Sequence, residues 1–352
     1  MSTVAVIGCG RIANGSHFPA LSRIPGTRIK YACDLIESKA QAAKEKYPDL
    51  VENVITDYKV ALADEEVEAV FVLTPNYAHY TVTMDALRAG KHVFCEKPIT
   101  VNYALSCEMA QEAEKQGKIL NIGVCNRYHL SVEKIHDMIE RGELGNVYHV
   151  YCSFRAHRSI PGLGGAFTTK SQSGGGALID WGVHFLDLVL YALGGAKLKN
   201  VTCDTYCEMA KDMKSYKYNS MWAEDTSDIE NGTNDVDDFV SGYVRTDKAS
   251  ISFNGAWAQN IGKREMFVDF LGDKGGVRLD YCSLFSFWSG ETLAETREEY
   301  TIPNMYERED AAFLESCRTG IKNKSNVEEV LESAKLLDSL YRSAELGEEV
   351  KL

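Results

Sequence analysis

The run Thr3-Val4-Ala5-Val6-Ile7-Gly8-Cys9-Gly10-Arg11-Ile12-Ala13 decides the fold. Its first five residues are β-branched or apolar and read as a strand covered on both faces. Two glycines then break the strand, and a helix opens at Arg11 and Ile12. In such a strand–turn–helix the first glycine permits the tight turn and the second lets backbone approach a pyrophosphate. The third position needs only to be small, as Ala13 is. The helix N-terminus presents oriented N–H groups to phosphate charge. Asp34, 24 residues beyond Gly10, ends the next β-branched run. A carboxylate there hydrogen-bonds the ribose hydroxyls of NAD and repels the 2′-phosphate of NADP. The competing reading of Asp34 is a turn or N-cap residue. Lys39 lies too far along to argue for NADP, so NAD is the expected cofactor.

Outward from this motif, short apolar runs alternate with helical patterns through residue 125. Strands are predicted at Thr3–Ile7, Arg28–Asp34, Val67–Thr74, His92–Cys95 and Ile119–Cys125. Between them Pro19–Ile24, Glu37–Lys46, Tyr77–Ala89 and Tyr103–Gln116 carry apolar residues at helical spacing. This alternation implies a parallel, doubly wound Rossmann sheet over residues 1–125. From residue 126 the rhythm changes. A helix at Val132–Arg141 precedes a strand near Val147–Phe154, and a glycine-rich stretch, Gly162–Gly176, leads into a strong helix at Ala177–Leu193. Alternating runs at Phe239–Arg245, Ala249–Trp257, Glu265–Leu271 and Gly276–Tyr281 predict an α+β second domain, 126–352, on one large, open, mainly antiparallel sheet. The last helix, 327–345, starts after Asn326, a good cap residue, and is free to return to the first domain. The segment Asp204–Asp238 holds ten acidic residues against three lysines and has no clean periodicity. It reads as a solvated insertion, or as a loop touching substrate or a neighbouring subunit.

At 352 residues the chain is long enough for two cores. A formal charge of −13 argues against a nucleic-acid footprint. The ten cysteines form no C-x-x-C pair, and several sit in apolar runs as small hydrophobes. A reduced, cytoplasmic compartment fits them better than a disulfide framework. The apolar start Val4–Ile7 runs into glycines, unlike a signal peptide. No run approaches the ~18 apolar residues that span a bilayer. Neither membrane nor nucleic acid is an expected partner.

Three further motifs follow. Leu73-Thr74-Pro75-Asn76-Tyr77-Ala78-His79 leaves the third predicted strand. Cys95-Glu96-Lys97-Pro98 leaves the fourth. Gly174-Gly175-Gly176-Ala177-Leu178-Ile179-Asp180-Trp181-Gly182-Val183-His184 opens the strong helix of the second domain. With the glycine fingerprint, and in this order, they resemble the glucose–fructose oxidoreductase, inositol dehydrogenase and rhizopine-catabolism family (Gfo/Idh/MocA) over essentially the whole chain. The resemblance implies nicotinamide-dependent chemistry on sugars, inositols, glycosides and related polyols. It also implies a cofactor along the carboxyl ends of the first-domain strands, and an open second-domain sheet that often mediates homo-oligomerisation. Trp181, at a position often aliphatic in the family, and the acidic insertion depart from the pattern and bear on substrate identity.

Oxidising a carbinol requires hydride transfer and removal of the hydroxyl proton, and the protein must position the substrate and manage that proton. Lys97 is the candidate for holding the reacting oxygen and stabilising alkoxide charge, with Glu96 supporting the cofactor or Lys97. Asp180 and His184, four apart, share a helix face. An imidazole with an ordinary pKa near ~6.5 suits a general base. Either His184 is the base with Lys97 assisting, or Lys97 is the base with His184 binding substrate. Asp180 would bind a hydroxyl or tune the base. No third ligand joins the pair in a recognisable metal motif, so no metal is expected. Gly8, Gly10, Arg11, Ile12, Asp34, Thr74, Pro75, Asn76, His79, Glu96, Lys97 and Arg127 are the cofactor candidates. Asn126 and Tyr128, following the last first-domain strand, are expected to line the cleft. Tyr128, Arg155, His157, Arg158 and Lys170 are substrate candidates, and Trp257 fits either site or core. Three functions compete: an NAD-dependent dehydrogenase, a glycosidase using held NAD for transient oxidation, and a non-catalytic NAD or sugar sensor.

Overall fold

The structure is a computed structural model that describes residues 2–281, 284–299 and 304–352. Cys282 lies outside them. The first unit comprises Met1–Tyr128 and Pro303–Leu331, the second His129–Ile302 and Glu332–Leu352.

The first unit is built on six parallel strands: β1 (Ser2–Ile7), β2 (Thr27–Cys33), β3 (Val51–Ile55), β4 (Ala69–Val72), β5 (His92–Glu96) and β6 (Leu120–Gly123). Their order, β3-β2-β1-β4-β5-β6, is the doubly wound arrangement. It reverses between β1 and β4, where ligands bind at the carboxyl ends of the strands. β4 and β6 are buried at every residue, as strands covered on both faces must be. The sequence reading missed β3, because Val-Glu-Asn-Val-Ile at the sheet edge lacks a continuous apolar run. Helices Glu37–Lys46 and Tyr103–Gln116 stand where predicted. Residues 303–331 belong to this unit and not to the second. The helix Met305–Thr319 places Phe313 and Leu314 in one cluster with Phe71 and Phe94. Phe313 meets Phe71 edge-on at 5.3 Å.

The second unit carries nine strands: β7 (Val147–Arg155), β8 (Leu198–Tyr206), β9 (Phe239–Thr246), β10 (Ser250–Ala256), β11 (Glu265–Gly272), β12 (Gly275–Asp280), β13 (Leu284–Ser289), β14 (Glu295–Glu299) and β15 (Val350–Lys351). Their order is β14-β13-β12-β11-β7-β10-β9-β8-β15, antiparallel throughout except for the β7–β10 pair. Val150, Cys152 and Phe154 of β7 face a core shared with Val183, Leu186 and Val189 of the helix Val183–Ala192. Alternation turns Tyr151, Ser153 and Arg155 to the other face, where Tyr151 is exposed. β14, Glu-Thr-Arg-Glu-Glu, has no apolar residue by which a sequence could betray it. The last helix, Val327–Leu346, begins within the first unit, but Leu336, Leu337 and Leu340 belong to the second core. Asn326 does not cap it with its side chain. Its Oδ1 is buried with no partner among the described residues, and its carbonyl accepts from Glu329 N at 2.9 Å.

Candidate active site

The glycine turn is held by contacts that explain each residue. Gly8 has φ +96°, and a Cβ there would lie 2.5 Å from the Leu73 carbonyl oxygen, so only glycine fits. Asp34 braces the turn from β2. Its Oδ2 accepts from Cys9 N and its Oδ1 from Ile36 N, both at 2.9 Å. Each carboxylate oxygen keeps a lone pair for a ribose hydroxyl, so the turn role and the ribose role are compatible. Asn14, which the sequence reading did not single out, donates to the carbonyls of Cys9 and Gly10 at 2.7 and 3.0 Å. A Cβ on Gly10 would meet no protein atom within 4 Å. The protein's own packing does not demand glycine there, and the space beside the turn is open. Thr74 Oγ1 is buried with no hydrogen-bond partner among the described residues. Space at Gly10 and an unsatisfied hydroxyl at Thr74 both fit a dinucleotide over this turn. Arg11 is exposed and Ile12 half-buried at the start of the helix.

The β4 and β5 loops are tied together. His79 Nδ1 lies 2.7 Å from the Pro98 carbonyl and Nε2 2.9 Å from that of Thr74. Two carbonyls can only accept, so both ring nitrogens donate. Burial alone would push the imidazole down, but the Cys95 sulfur and the two carbonyls raise it to about 9. His79 therefore has no ring nitrogen left for a cofactor and acts as a clamp between the two loops. Pro75 is exposed and Asn76 half-buried in the first of them. Lys97 is half-buried at the end of β5, and its backbone N donates to Glu96 Oε2 at 3.1 Å. The Lys97–Pro98 peptide is cis.

Arg127 and Tyr128 are buried, with structural tasks. Arg127 donates to the carbonyls of Lys324 and Glu329 at 2.6 and 3.0 Å, and Tyr128 OH to Asn323 Oδ1 at 3.3 Å. Both secure residues 323–329, which sequence spacing cannot bring to mind. Neighbouring Asn126 is also buried.

In the second unit the three glycines have separate reasons. Gly174 is left-handed, with φ +83°. A Cβ on Gly175 would lie 2.1 Å from Tyr341 OH, and one on Gly176 would lie 1.9 Å from the Asp237 carbonyl. Buried Asp237 accepts from Gly176 N and Leu178 N, each at 2.8 Å, and from Tyr341 OH at 2.9 Å. Burial raises its carboxyl, against the lowering effect of these donors. Asp237 thus caps, from far along the chain, the helical segment that carries Asp180 and His184. That segment starts with a wide π-type turn, Leu178–Gly182, before the regular helix Val183–Ala192, and such turns are frequent at functional sites. Trp257 Nε1 donates to Asp180 Oδ2 at 3.2 Å, so this buried core residue also touches the candidate residue Asp180. Asp180 and His184 are both half-buried.

Arg155, Arg158 and Lys170 have partners of their own. Arg155 lies on the sheet face opposite the His184 helix, paired with Glu265 and with Ser153 Oγ at 3.2 Å. Arg158 holds Asn260 Oδ1 at 3.0 and 2.7 Å and the Lys217 carbonyl at 2.9 Å. Lys170 is exposed, 3.5 Å from Glu345. His157 is half-buried beyond β7. The acidic segment is not simply solvated. Ala210, Tyr216 and Val236 pack with Ile160, Leu163 and Trp257 in a second apolar cluster. Ala223 N donates to the Pro161 carbonyl at 2.7 Å and Asp228 N to that of Leu163 at 2.8 Å. Among the described residues no group of three His, Cys, Asp or Glu side chains could hold a metal ion, nine cysteines are free, and no helix is long and apolar enough to cross a membrane.

Comparison with known proteins agrees with this architecture. Residues 2–124 match the oxidoreductase family with an NAD-binding Rossmann fold, and residues 132–278 the GFO/IDH/MocA C-terminal domain. The chain is 30% identical over 349 residues to D-glucoside 3-dehydrogenase of Escherichia coli K12, covering 99% of this chain and 97% of that one. It is 34% identical over 148 residues to inositol 2-dehydrogenase of Salmonella typhimurium, covering 42% and 44%. Levoglucosan dehydrogenase, solved with NADH and levoglucosan, has the same fold, with a TM-score of 0.85 at 17% identity over 99% of each chain. With a fingerprint turn shaped for a dinucleotide and both domain models matched in order, the chain is an NAD-dependent oxidoreductase of the Gfo/Idh/MocA family.

Proposed function

We propose that this enzyme transfers hydride between NAD and a secondary alcohol carbon of a glycoside, with a ring carbon such as C3 as the position oxidised. One observation carries the reading. Asp180 and His184, neighbours at i,i+4, ride on a segment whose start is locked by Asp237 and whose acid is held by Trp257. Similarity over almost the full length of both chains to D-glucoside 3-dehydrogenase supports the substrate class. When bound, NAD supplies the hydride acceptor, held by the Gly8–Ile12 turn, Asp34 and the Thr74–Asn76 loop. The chain's own residues do the rest. Asp180 accepts a hydrogen bond from a sugar hydroxyl. The Lys97 ammonium donates to the reacting oxygen and stabilises its developing negative charge. A ring nitrogen of neutral His184 takes the hydroxyl proton. Nine free cysteines support a cytoplasmic enzyme, and the exposed Tyr148, Tyr151 and Trp288 of the second sheet support a homo-oligomer built through it.

A panel of glucosides, inositols and free sugars, followed for NADH absorbance and product identity together, tests this reading. NADH accumulating with a keto-glycoside is the expected result. Released aglycone without net NADH would replace the dehydrogenase with a glycosidase, and ligand binding without turnover would replace it with a sensor. In the same assay Lys97→Met should keep NAD affinity and lose most of kcat.

A further inference from the structure

Beneath Lys97 lies a buried chain of charges that the reaction as described does not use. Glu96, 6% exposed at the end of β5, spends Oε2 on the Lys97 amide. Its Oε1 lies 3.1 Å from His17 Nε2. His17, fully buried on the helix after the glycine turn, places Nδ1 3.0 and 3.1 Å from the two oxygens of Asp310, itself fully buried on the helix Met305–Thr319. Phe94, Phe71 and Tyr306 wall the imidazole at ring-centre distances of 5.2, 6.0 and 5.5 Å. A Cβ on Gly123 would lie 2.5 Å from Glu96 Oε1, so that glycine makes room for the carboxylate.

Both ring nitrogens face carboxylates, and only the imidazolium donates to both. Burial pushes His17 down, but Asp310 first and then Glu96 hold it up at about 10. The titratable groups around it are these two acids and Tyr306. Glu309 and Cys125 border Tyr306 and Glu96, and Lys97 acts on Cys125 from the site side. Buried charges of this kind are a weak source of stability, since apolar residues of similar volume often serve as well. What this chain does secure is the geometry of Glu96 and, through it, the Lys97 backbone.

We propose that His17 and Asp310 are positioning residues for Lys97, fixing Glu96 so that its second oxygen holds the Lys97 amide. The proposal rests on the reading that Lys97 serves the reacting oxygen. Asp310→Asn tests it without changing volume. With the charge gone, the imidazole loses its proton more easily. A neutral ring donating through Nδ1 to the oxygen of the new side-chain amide then turns its Nε2 lone pair on Glu96 and drives that carboxylate away. Displacing a reacting group by about 1 Å costs up to about a hundredfold in rate. At pH 9, kcat of Asp310→Asn should therefore fall ten- to a hundredfold, on the order of that cost. The NAD Kd should stay within about twofold. Between pH 7 and 9 the variant should lose kcat progressively, with much less loss where His17 is still charged. In a Lys97→Met background the Asp310→Asn substitution should add nothing further. Wild-type kcat and pH profile in Asp310→Asn and His17→Gln, with Lys97→Met inactive, would overturn the positioning role alone. Wild-type kcat in Lys97→Met would overturn the reading of Lys97 instead. Should the variants fail to fold, nitrogen-15 NMR of histidine-labelled wild type decides. An imidazolium at His17 through pH 8 is expected, and a neutral ring at pH 7 overturns the proposal.

Discussion

Trp257 Nε1 donates to Asp180 Oδ2 across 3.2 Å, although the two residues stand 77 apart in the chain. The indole is 1% exposed, so its buried N–H needs a partner within the protein. A hydrogen bond to a charged group contributes roughly 1.5–3 kcal/mol. Trp257→Phe keeps most of the apolar volume and deletes that N–H. We expect kcat/KM for the glycoside to fall about ten- to a hundredfold, the kinetic equivalent of that energy. An unchanged kcat/KM would show that Trp257 is core only.

Asp34 braces the turn and, in the proposed reading, binds the ribose; the two duties separate by substitution. Asp34→Asn keeps one acceptor oxygen, and so one of the two turn bonds, but removes the charge that would repel a 2′-phosphate. The NAD:NADP ratio of kcat/KM should drop by about tenfold or more. Asp34→Ala also releases Cys9 N and Ile36 N, so it should raise KM for both cofactors. A wild type that favours NADP in steady-state kinetics would refute the ribose role.

Two glycines predict opposite phenotypes. A Cβ on Gly176 would stand 1.9 Å from the Asp237 carbonyl, a backbone atom that cannot swing away. Gly176→Ala should lose roughly 1–3 kcal/mol or more of stability and several degrees of Tm. Gly10→Ala meets no protein atom within 4 Å, so its Tm should be near wild type while its NAD affinity falls. Calorimetry and an NAD titration read the two apart; weakened folding in Gly10→Ala would contradict the assignment.

His17 and His79 make stability depend on alkaline pH. Both are held above the ordinary histidine value, at about 10 and about 9. A raised folded-state pKa stabilises fully below the unfolded value near ~6.5, and the contribution is lost as pH rises through the folded value. The urea midpoint should therefore decline between pH 6.5 and 10. His79→Gln should be less stable at pH 6.5 and show a shallower decline. A midpoint that rises over this range would exclude buried imidazolium ions.

Local chemistry made much of the fold legible. Continuous apolar strands, helical periodicity and the Gly8–Gly10 turn each report on neighbours a few residues away, and helices Glu37–Lys46 and Tyr103–Gln116 stand as predicted. β3 and β14 stayed hidden because edge strands rich in acids carry no apolar signature. The helix Met305–Thr319 stayed hidden for a related reason, since its charged residues obscure the few apolar ones that reach the first core.

The motifs Glu96-Lys97-Pro98 and Gly174–His184 were readable as chemistry, because residue type and spacing say what a group can do. What each side chain meets was not readable. His79 reads as a cofactor residue until both nitrogens are found on the carbonyls of Thr74 and Pro98. Arg127 gives no sequence sign that its guanidinium donates to the backbone of residues 324 and 329. Asp237, Tyr341, His17 and Asp310 carry no local signal at all. The sequence by itself determined the parallel sheet, the dinucleotide turn and the type of chemistry, since these follow from periodicity and residue identity. Only the tertiary structure decided which charges are buried, because burying a polar group is costly unless a partner, here 59 to 293 residues away, satisfies it.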